Sequence, residues 1–217
     1  MAQSRLLVFG DIHGAISSLS RLLQRLMPTE DDTLLFLGDY IDRGEDSRAV
    51  LDLLSNLEQL HSCIFLMGNH EDMFLKAYSG AEADLDLWLN NGGLKTFLDF
   101  DGGLPPDRHV EWIRRLRPFY ETETHYFVHA GLRPDVAPSE STDMERLWIR
   151  EPFLSSTYDW GKRVIFGHTV QFGGPLVMPN KIGIDTGAFI PRIGRLTCLV
   201  LPEGRFVFSR GRSKKLG

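Results

Sequence analysis

The feature that most constrains this chain is a pattern in which short apolar strands run directly into polar side chains beside glycine. The stretch 34–47, LLFLGDYIDRGEDS, places two aspartates and an arginine just after such a run. LLVFGDIHG and IFLMGNHE repeat the pattern on either side, and YFVHAG and VIFGHT repeat it later. Strand ends are rigid and the loops after them are free to vary, so such clusters deliver polar groups to one place. The pattern predicts a functional site along one sheet edge.

Apolar periodicity in the first third of the chain predicts alternating strands and helices. The expected elements are strands over 5–9, 33–37 and 63–67 and helices over 17–27 and 46–60. This order predicts parallel strands joined by right-handed crossovers, whose polar carboxyl ends share an edge.

The rest of the chain divides into a helical stretch and a strand-rich half. Helical spacing over 71–117, broken by NNGG at 90–93 and DGGLPPD at 101–107, predicts an insertion that covers the sheet edge. The later strands are expected over 120–123, 125–129, 163–166, 181–184, 195–201 and 205–209. We therefore expect one α/β domain over 1–217, a sandwich of two sheets flanked by helices.

Composition excludes several classes of function. The 217 residues carry a net charge of -5, which argues against nucleic acid as a partner because phosphate backbones demand clustered Lys and Arg. No apolar run approaches the ~20 residues of a membrane span, and the first residues lack a signal-peptide pattern. Cys63 and Cys198 lie in apolar runs and are expected to be free thiols. We expect a cytoplasmic monomer.

The polar residues of these motifs, which after the third strand are Asn69, His70 and Glu71, are of metal-ligand type and point to metal chemistry. Asp, His and Asn without Cys form a mixed nitrogen and oxygen ligand set that suits manganese, iron or zinc better than a structural zinc cage. Carboxylates that bridge two such ions are typical of two-metal hydrolysis. A glycine at 10, 38, 68 or 167 directly precedes a candidate ligand, where the missing side chain lets the backbone turn sharply.

In this order, GDIHG, GDYIDRG, GNHE, HAG and GHT resemble the motifs of the metallophosphoesterases of the phosphoprotein phosphatase family, in its compact bacterial and phage branch. The resemblance runs from Gly10 to Thr169. It implies a calcineurin-like sandwich of two mixed β-sheets and two divalent ions, manganese first, with iron, zinc, nickel or cobalt as alternatives. It implies a first metal held by Asp11, His13 and Asp39, and a second held by Asp39, Asn69, His129 and His168.

The resemblance also implies the catalytic groups. Arg43 and Arg150 would bind phosphate, Arg150 being the looser match because Arg146 lies one helical turn away. His70 would be the general acid, oriented by Asp42, while a water or hydroxide that bridges the metals attacks phosphorus without a covalent phosphoenzyme. The residues leave alternatives open: a surface salt bridge for Arg43, a helix-terminal charge for Arg150 and a helix cap for Asp42.

Other conspicuous residues fall outside the motifs. Three histidines are expected at the surface or at strand ends: His61, His109 and His125. Three aromatic residues are expected in the core of the helical insertion: Trp88, Trp112 and Phe119. Asp185 follows a further apolar strand and either supports His168 or begins a turn. The basic tail RGRSKKLG is expected to be a solvated terminus.

Two substrate classes compete. The DRG form of the second motif favours phosphomonoesters, because the dinucleoside tetraphosphatases that we can compare tend to lack the aspartate matching Asp42. HAG in place of the HGG of eukaryotic protein phosphatases, and IDTGA with GRLTCLVL, resemble both classes. We expect hydrolysis of phosphoserine and phosphothreonine in proteins, with phosphotyrosine as an additional candidate. A dinucleoside tetraphosphate hydrolase is the alternative, and a non-catalytic phosphopeptide-binding scaffold is the remote one.

Overall fold

A computed structural model describes residues 4–216 of the chain. Its strands are β1 (Leu6–Phe9), β2 (Thr33–Phe36), β3 (Ser62–Phe65), β4 (Phe119–Glu121), β5 (His125–Val128), β6 (Arg163–Phe166), β7 (Leu176–Val177), β8 (Lys181–Gly183), β9 (Thr197–Leu201), β10 (Arg205–Phe208) and β11 (Lys214–Lys215). Its α-helices are α1 (Ile16–Leu26), α2 (Ser47–Leu60), α3 (Asn69–Tyr78), α4 (Glu82–Trp88), α5 (Leu94–Asp99), α6 (Asp107–Arg114) and α7 (Asp143–Trp148).

The strands form two mixed sheets. One has the order β11-β10-β9-β1-β2-β3, and the other has the order β4-β5-β6-β8-β7. As the alternation of strands and helices predicted, β1, β2 and β3 are parallel neighbours. In the second sheet β5, β6 and β8 are parallel and the outer strands β4 and β7 run antiparallel. The predicted fold of two mixed sheets flanked by helices is confirmed.

Alternate residues of the central strands supply different layers of the core. Leu7 and Phe9 pack with the helices, whereas Val8 between them packs with residues of the second sheet. Leu35 of β2 belongs to the same inter-sheet layer as Val8. Since successive strand side chains point to opposite faces, a strand covered on both sides must be apolar throughout. This explains why LLVF and TLLF are almost continuous apolar runs.

The helical stretch between β3 and β4 packs against the loop after β2. Its chain turns widely over Leu89–Gly93, where Gly92 has a φ of 109°. The carbonyl of Gly92 accepts a hydrogen bond from the backbone N–H of Arg43 at 3.3 Å. A Cβ atom at Gly92 would lie 2.7 Å from Cγ of Arg43. The NNGG interruption is therefore the point at which the helices meet the GDYIDRG loop, and only glycine permits that approach.

The structure corrects two expectations about conspicuous residues. His109 is buried on α6, with Nε2 2.8 Å from Oδ1 of Asp52, so its placement at the surface is wrong. Phe119 lies in β4 and not in the core of the helical stretch, because the chain has already returned to the second sheet there. Residues 210–215 of the basic tail are exposed, as expected, and β11 within them pairs with β10.

One helix start differs from the sequence analysis, and both cysteines agree with it. The capping box of Thr142 with Glu145, which begins α7, was not recognised in the sequence. Cys198 is buried, Cys63 is partly buried, and both are free, as expected.

The inter-sheet layer makes a prediction about stability. Leu35 is fully buried there, and Leu35→Ala should lower the free energy of unfolding by about 2 to 5 kcal/mol, because the cavity adds to the lost burial. Leu98→Ala is the control, since Leu98 is 59% exposed, and should change it by less than about 0.5 kcal/mol. Urea unfolding measures both. A cost below about 1 kcal/mol for Leu35→Ala would contradict the assigned packing.

Candidate metal centre

The loops that leave β1, β2, β5 and β6 and the first turn of α3 meet at one place. They bring together all six residues of the predicted ligand set, each of them buried: Asp11, His13, Asp39, Asn69, His129 and His168. Residues far apart in the sequence meet here: the backbone N–H of His168 donates to Oδ2 of Asp11 at 2.9 Å, although 157 positions separate the two. The convergence follows from the parallel strands, which share their carboxyl edges.

Asp39 lies between two groups of imidazoles. Its Oδ2 is 3.3 Å from Nε2 of His13, and its Oδ1 is 3.4 Å from Nε2 of His129. On the side of Asp39 that faces His129, Oδ1 of Asn69 lies 2.9 Å from Nε2 of His129 and 2.9 Å from Nδ1 of His168. Asp39 is thus the one carboxylate whose two oxygens face different groups, as a bridging ligand requires.

Backbone carbonyls hold two of these imidazoles in a defined tautomer. Nδ1 of His13 donates to the carbonyl of Ile41 at 3.0 Å, and Nδ1 of His129 donates to that of Leu37 at 2.9 Å. Metal-binding histidines commonly donate their second ring nitrogen in this way, which leaves Nε2 with a free lone pair. Burial lowers the pKa of His13, of His129 and of His168, the last to about 3. The three rings are therefore neutral near pH 7, the form that coordinates metals.

Asp11 tests whether this cluster suits a divalent cation. Its Oδ1 is buried and has no hydrogen-bond partner among residues 4–216. Burial, followed by the charges of Asp185 and Asp39, holds the pKa of Asp11 well above its usual range. A buried carboxylate oxygen without a partner is costly, and a cation beside it would offset that cost. The neutral imidazoles and carboxylates fit a divalent ion, and two groups around Asp39 have ligand atoms close enough to hold one.

Glycines allow the ligand loops to close. A Cβ atom at Gly68 would lie 2.2 Å from Oδ1 of Asp39, and one at Gly167 would lie 2.0 Å from Oδ1 of Asp11. Real Cβ atoms do not approach that closely, so these positions exclude every other residue unless the ligand moves. At these two positions the lack of a side chain leaves room for a ligand oxygen, whereas a sharp backbone turn was the expected use of glycine.

Glu71 has a different position from the one its motif suggested. The sequence grouped it with the metal-type residues after β3, but its carboxylate instead accepts backbone N–H groups of Asp39, Tyr40, Ile41 and Gly68 at 2.8 to 3.3 Å. Burial and the charge of Asp39 raise its pKa to about 8. Glu71 therefore fixes the loop that carries Asp39. The signal was its third position in the helix that follows Gly68, where a glutamate can accept the backbone N–H of the residue before the helix, as Glu71 does at 3.1 Å.

Asp42 and His70 form a buried pair. Nδ1 of His70 lies 2.7 Å from Oδ2 of Asp42. Two residues of the helical stretch also donate to this carboxylate, Trp88 through Nε1 at 3.1 Å and Thr96 through Oγ1 at 2.6 Å. Trp88 is buried as expected, but its hydrogen bond to Asp42 was missed. The alternative that Asp42 caps a helix is wrong, because Asp46 caps α2 instead.

Arg43 lies at the edge of the cluster. Its Nη1 is 2.9 Å from Nε2 of His13, and its guanidinium carbon lies 5.2 Å from the ring centroid of Phe189. Phe189 also packs edge-on against His13 and was not singled out from the sequence. Among the described residues, no carboxylate lies within ion-pair distance of Arg43, so the surface salt bridge is not what the structure shows.

The structure separates Arg150 from Arg146. Arg146 donates to Asp143 at 2.7 Å and to the carbonyl of Pro138 at 3.1 Å, away from the histidines. Arg150 is exposed. Burial is the main cause that lowers the pKa of His129 and of His168, and the charge of Arg150 adds to it. Of the two arginines, Arg150 is the one whose charge acts on the cluster.

Asp185 is buried and begins a turn, since Oδ1 accepts the backbone N–H of Gly187 at 2.8 Å. Of its two expected roles, support of His168 or the start of a turn, the hydrogen bond corresponds to the turn. Burial raises its pKa to about 7. Its charge acts on Asp11, so it belongs to the surroundings of the first metal group.

A comparison with protein families agrees with this geometry. The family model described as calcineurin-like phosphoesterase matches residues 4–172. The chain belongs to the calcineurin-like phosphoesterases. It is therefore a hydrolase of phosphoesters from a family that uses divalent metals. No helix in residues 4–216 is long and apolar enough to cross a membrane.

Relatives of this phosphoesterase fall into two groups. Serine/threonine-protein phosphatase 2 of Escherichia coli K12 is 32% identical, over 88% of this chain and 89% of the relative. The bis(5'-nucleosyl)-tetraphosphatase PrpE of a Geobacillus species is 25% identical, over 90% of each chain. A solved structure provisionally described as a diadenosine tetraphosphatase superposes with a TM-score of 0.74 at 24% identity, covering 94% of this chain and 92% of that one. This structural likeness supports the fold, and the substrate needs a separate argument.

The position of Asp39 makes a prediction about metal content. Asp39→Asn should lower affinity for both ions by at least about 100-fold, because losing even an outer partner of a ligand costs 10- to 100-fold. Elemental analysis after dialysis measures the metal, and hydrolysis of an aryl phosphate measures activity. Asp46→Asn is the matched control, since asparagine also caps a helix. Two retained ions in Asp39→Asn would refute the bridging position.

Proposed function

We propose that this phosphoesterase removes phosphate from phosphoserine and phosphothreonine in proteins, with phosphotyrosine as an additional substrate. The observation that carries the proposal is the buried pair of His70 and Asp42, 2.7 Å apart. The alkoxide released from serine or threonine is a strong base and departs poorly unless it is protonated. An imidazole held by a carboxylate is the usual group for that proton transfer.

The six ligand residues are proposed to hold two divalent ions. Asp11, His13 and Asp39 would hold the first, and Asp39, Asn69, His129 and His168 the second. When bound, such ions provide a nucleophilic water near neutral pH and offset the negative charge of the phosphate. Arg43, which lies beside His13, and Arg150, whose charge acts on His129 and His168, are both exposed and would bind phosphate oxygens through their planar guanidinium groups.

His70 is assigned to acid catalysis and not to metal binding. Its ring lies close enough to His13 and Asp39 to be counted with the first metal group. Its Nδ1 is held by the carboxylate of Asp42 at 2.7 Å. A ring oriented in this way can act as a ligand through a bare Nε2 or as an acid when Nε2 carries a proton, and the proposal takes the second role, which the metal content of His70→Asn tests. Nε2 is then the nitrogen that delivers the proton to the departing oxygen.

The second candidate function is hydrolysis of a dinucleoside tetraphosphate. It is favoured by the PrpE relative, which aligns with 90% of this chain and is itself aligned over 90% of its length. The two candidates differ in the leaving group. A nucleotide phosphate is a far weaker base than an alkoxide, so its departure depends less on a general acid.

The test of the proposed function compares two substrates with one enzyme preparation. The protein is stripped of metal, reloaded with manganese, and assayed on a phosphothreonine peptide and on diadenosine tetraphosphate. We expect a higher kcat/KM for the peptide. A higher kcat/KM for the dinucleotide would identify a dinucleoside tetraphosphate hydrolase. Absence of metal-dependent turnover of both substrates and of an aryl phosphate would indicate a non-catalytic, phosphopeptide-binding scaffold.

The assignment of His70 predicts a dependence on the leaving group. His70→Asn should lower kcat for the phosphothreonine peptide by on the order of 10² to 10⁴, but should lower it much less for 4-nitrophenyl phosphate, whose leaving group needs little protonation. His61→Asn, on the partly exposed His61, is the control. Metal content should stay unchanged in both variants. Equal losses on the two substrates, or a lost metal, would contradict general-acid catalysis.

A further inference from the structure

A groove rich in arginine begins beside the metal centre. Two adjoining cavities, of about 400 Å³ and 610 Å³, share the side chains of Arg192 and Arg210. Arg43, which lies beside His13, lines only the inner cavity, and Arg195 lines only the outer one. We call the two cavities together the arginine groove, with Arg192, Arg195 and Arg210 as its outer cations. Beginning at Arg43, which is proposed to bind phosphate, the arginines follow one another along the groove from the inner to the outer cavity.

The outer cations have no acidic partners within residues 4–216. None of the ion pairs in this part of the chain involves Arg192, Arg195 or Arg210. Glu45 is the one acidic residue on the lining, at the inner cavity, where its carboxylate accepts the N–H of Ser17 at 3.0 Å. In a chain of net charge -5, this is a local excess of positive charge. Unpaired guanidinium groups facing a groove are suited to an anionic ligand.

The backbone that presents these arginines is closely packed. In the loop after β8, Ile190 N–H donates to the carbonyl of Gly187 at 2.9 Å, and Gly194 N–H donates to that of Ile190 at 3.0 Å. The guanidinium of Arg195 lies 3.7 Å from the ring centroid of Phe208. The same loop carries Phe189, which contacts both His13 and Arg43. The loop thus joins two of the outer cations, Arg192 and Arg195, to the residues beside the metal centre, while Arg210 comes from the segment after β10.

We propose that the arginine groove binds acidic side chains of the substrate protein next to its phosphorylated residue. The proposal rests on the proposed function, because it assumes a phosphoprotein substrate. It makes the enzyme selective for phosphorylation sites flanked by aspartate, glutamate or a second phosphorylated residue. The groove acts on the choice of substrate and not on the chemical step.

The distribution of charge favours a peptide over a compact polyphosphate. An extended peptide advances about 3.3 Å per residue and turns its side chains to alternate sides, so acidic residues at several positions meet cations spread along a groove. Apolar side chains lie among the arginines: Ile193 is 67% exposed and Phe172 is 76% exposed, and both line the outer cavity. Residues beside the phosphorylated position of a peptide can pack on these apolar side chains while their acidic neighbours meet the arginines.

The test compares matched phosphopeptides on the manganese-loaded enzyme. One phosphothreonine peptide carries flanking glutamates, and the other carries glutamines at the same positions. The double variant Arg192→Gln, Arg210→Gln should lose about 5- to 10-fold in kcat/KM on the acidic peptide, mostly through KM, because exposed charge pairs contribute modestly. On the neutral peptide it should stay within about 2-fold of wild type, since unpaired surface charges contribute little there.

Two controls separate the groove from general charge effects. Arg117→Gln removes an exposed arginine that lines a different cavity, and it should leave the preference for the acidic peptide intact. Arg192→Lys with Arg210→Lys keeps both charges and should retain most of the preference. The preference of the wild type should also shrink as salt is raised, because exposed charges are screened.

Several results would overturn the inference. Equal kcat/KM of the wild type on the two peptides would refute the groove while leaving the proposed function standing. Equal losses on both peptides in the double glutamine variant would assign these arginines to folding or catalysis. Losses on diadenosine tetraphosphate but not on the acidic peptide would make the groove a polyphosphate site. Failure of the wild type to hydrolyse either peptide would instead refute the proposed function itself.

Discussion

The site is built around two buried carboxylates, Asp11 and Asp39. Burial, followed by the charges of Asp185 and Asp39, raises the pKa of Asp11, and its Oδ1 has no hydrogen-bond partner among the described residues. Neutral imidazoles cannot cancel the negative charge of such carboxylates, whereas divalent ions would. The backbone must hold both side chains in place despite the cost of burying them. Glu71 and the glycines at 68 and 167 do this, the first by four hydrogen bonds and the others by their lack of a side chain.

The helical stretch takes part in the chemistry through Asp42. Trp88 and Thr96 donate to its carboxylate, and the carbonyl of Gly92 accepts the N–H of Arg43. The stretch therefore does more than cover a sheet edge, because it orients the residue that holds the proposed general acid. A change in how these helices pack would alter the pair of Asp42 and His70 as well as the shape of the cleft.

The six candidate ligands come together in the structure as the sequence led us to expect, because each of them closely follows an apolar strand. A strand and the next two or three residues form one rigid local unit, and five such units identified the carboxyl edge of two sheets. The errors arose where a role depends on distant partners. His109 was placed at the surface although its partner Asp52 lies 57 residues away, and Glu71 was grouped with metal-type residues although it binds the backbone of another loop.

By itself the sequence determined a sandwich of two sheets, the parallel direction of the first three strands and the six candidate ligands, because continuous apolar runs and strand-end motifs are local signals. Only the tertiary structure decided that Trp88 and Thr96 hold Asp42, and that Phe189 contacts Arg43. It also decided that arginines from two loops, at 192–195 and at 210, line one groove in an acidic protein. These relations join segments far apart in the chain, and no short stretch of sequence records which distant side chains folding will bring together.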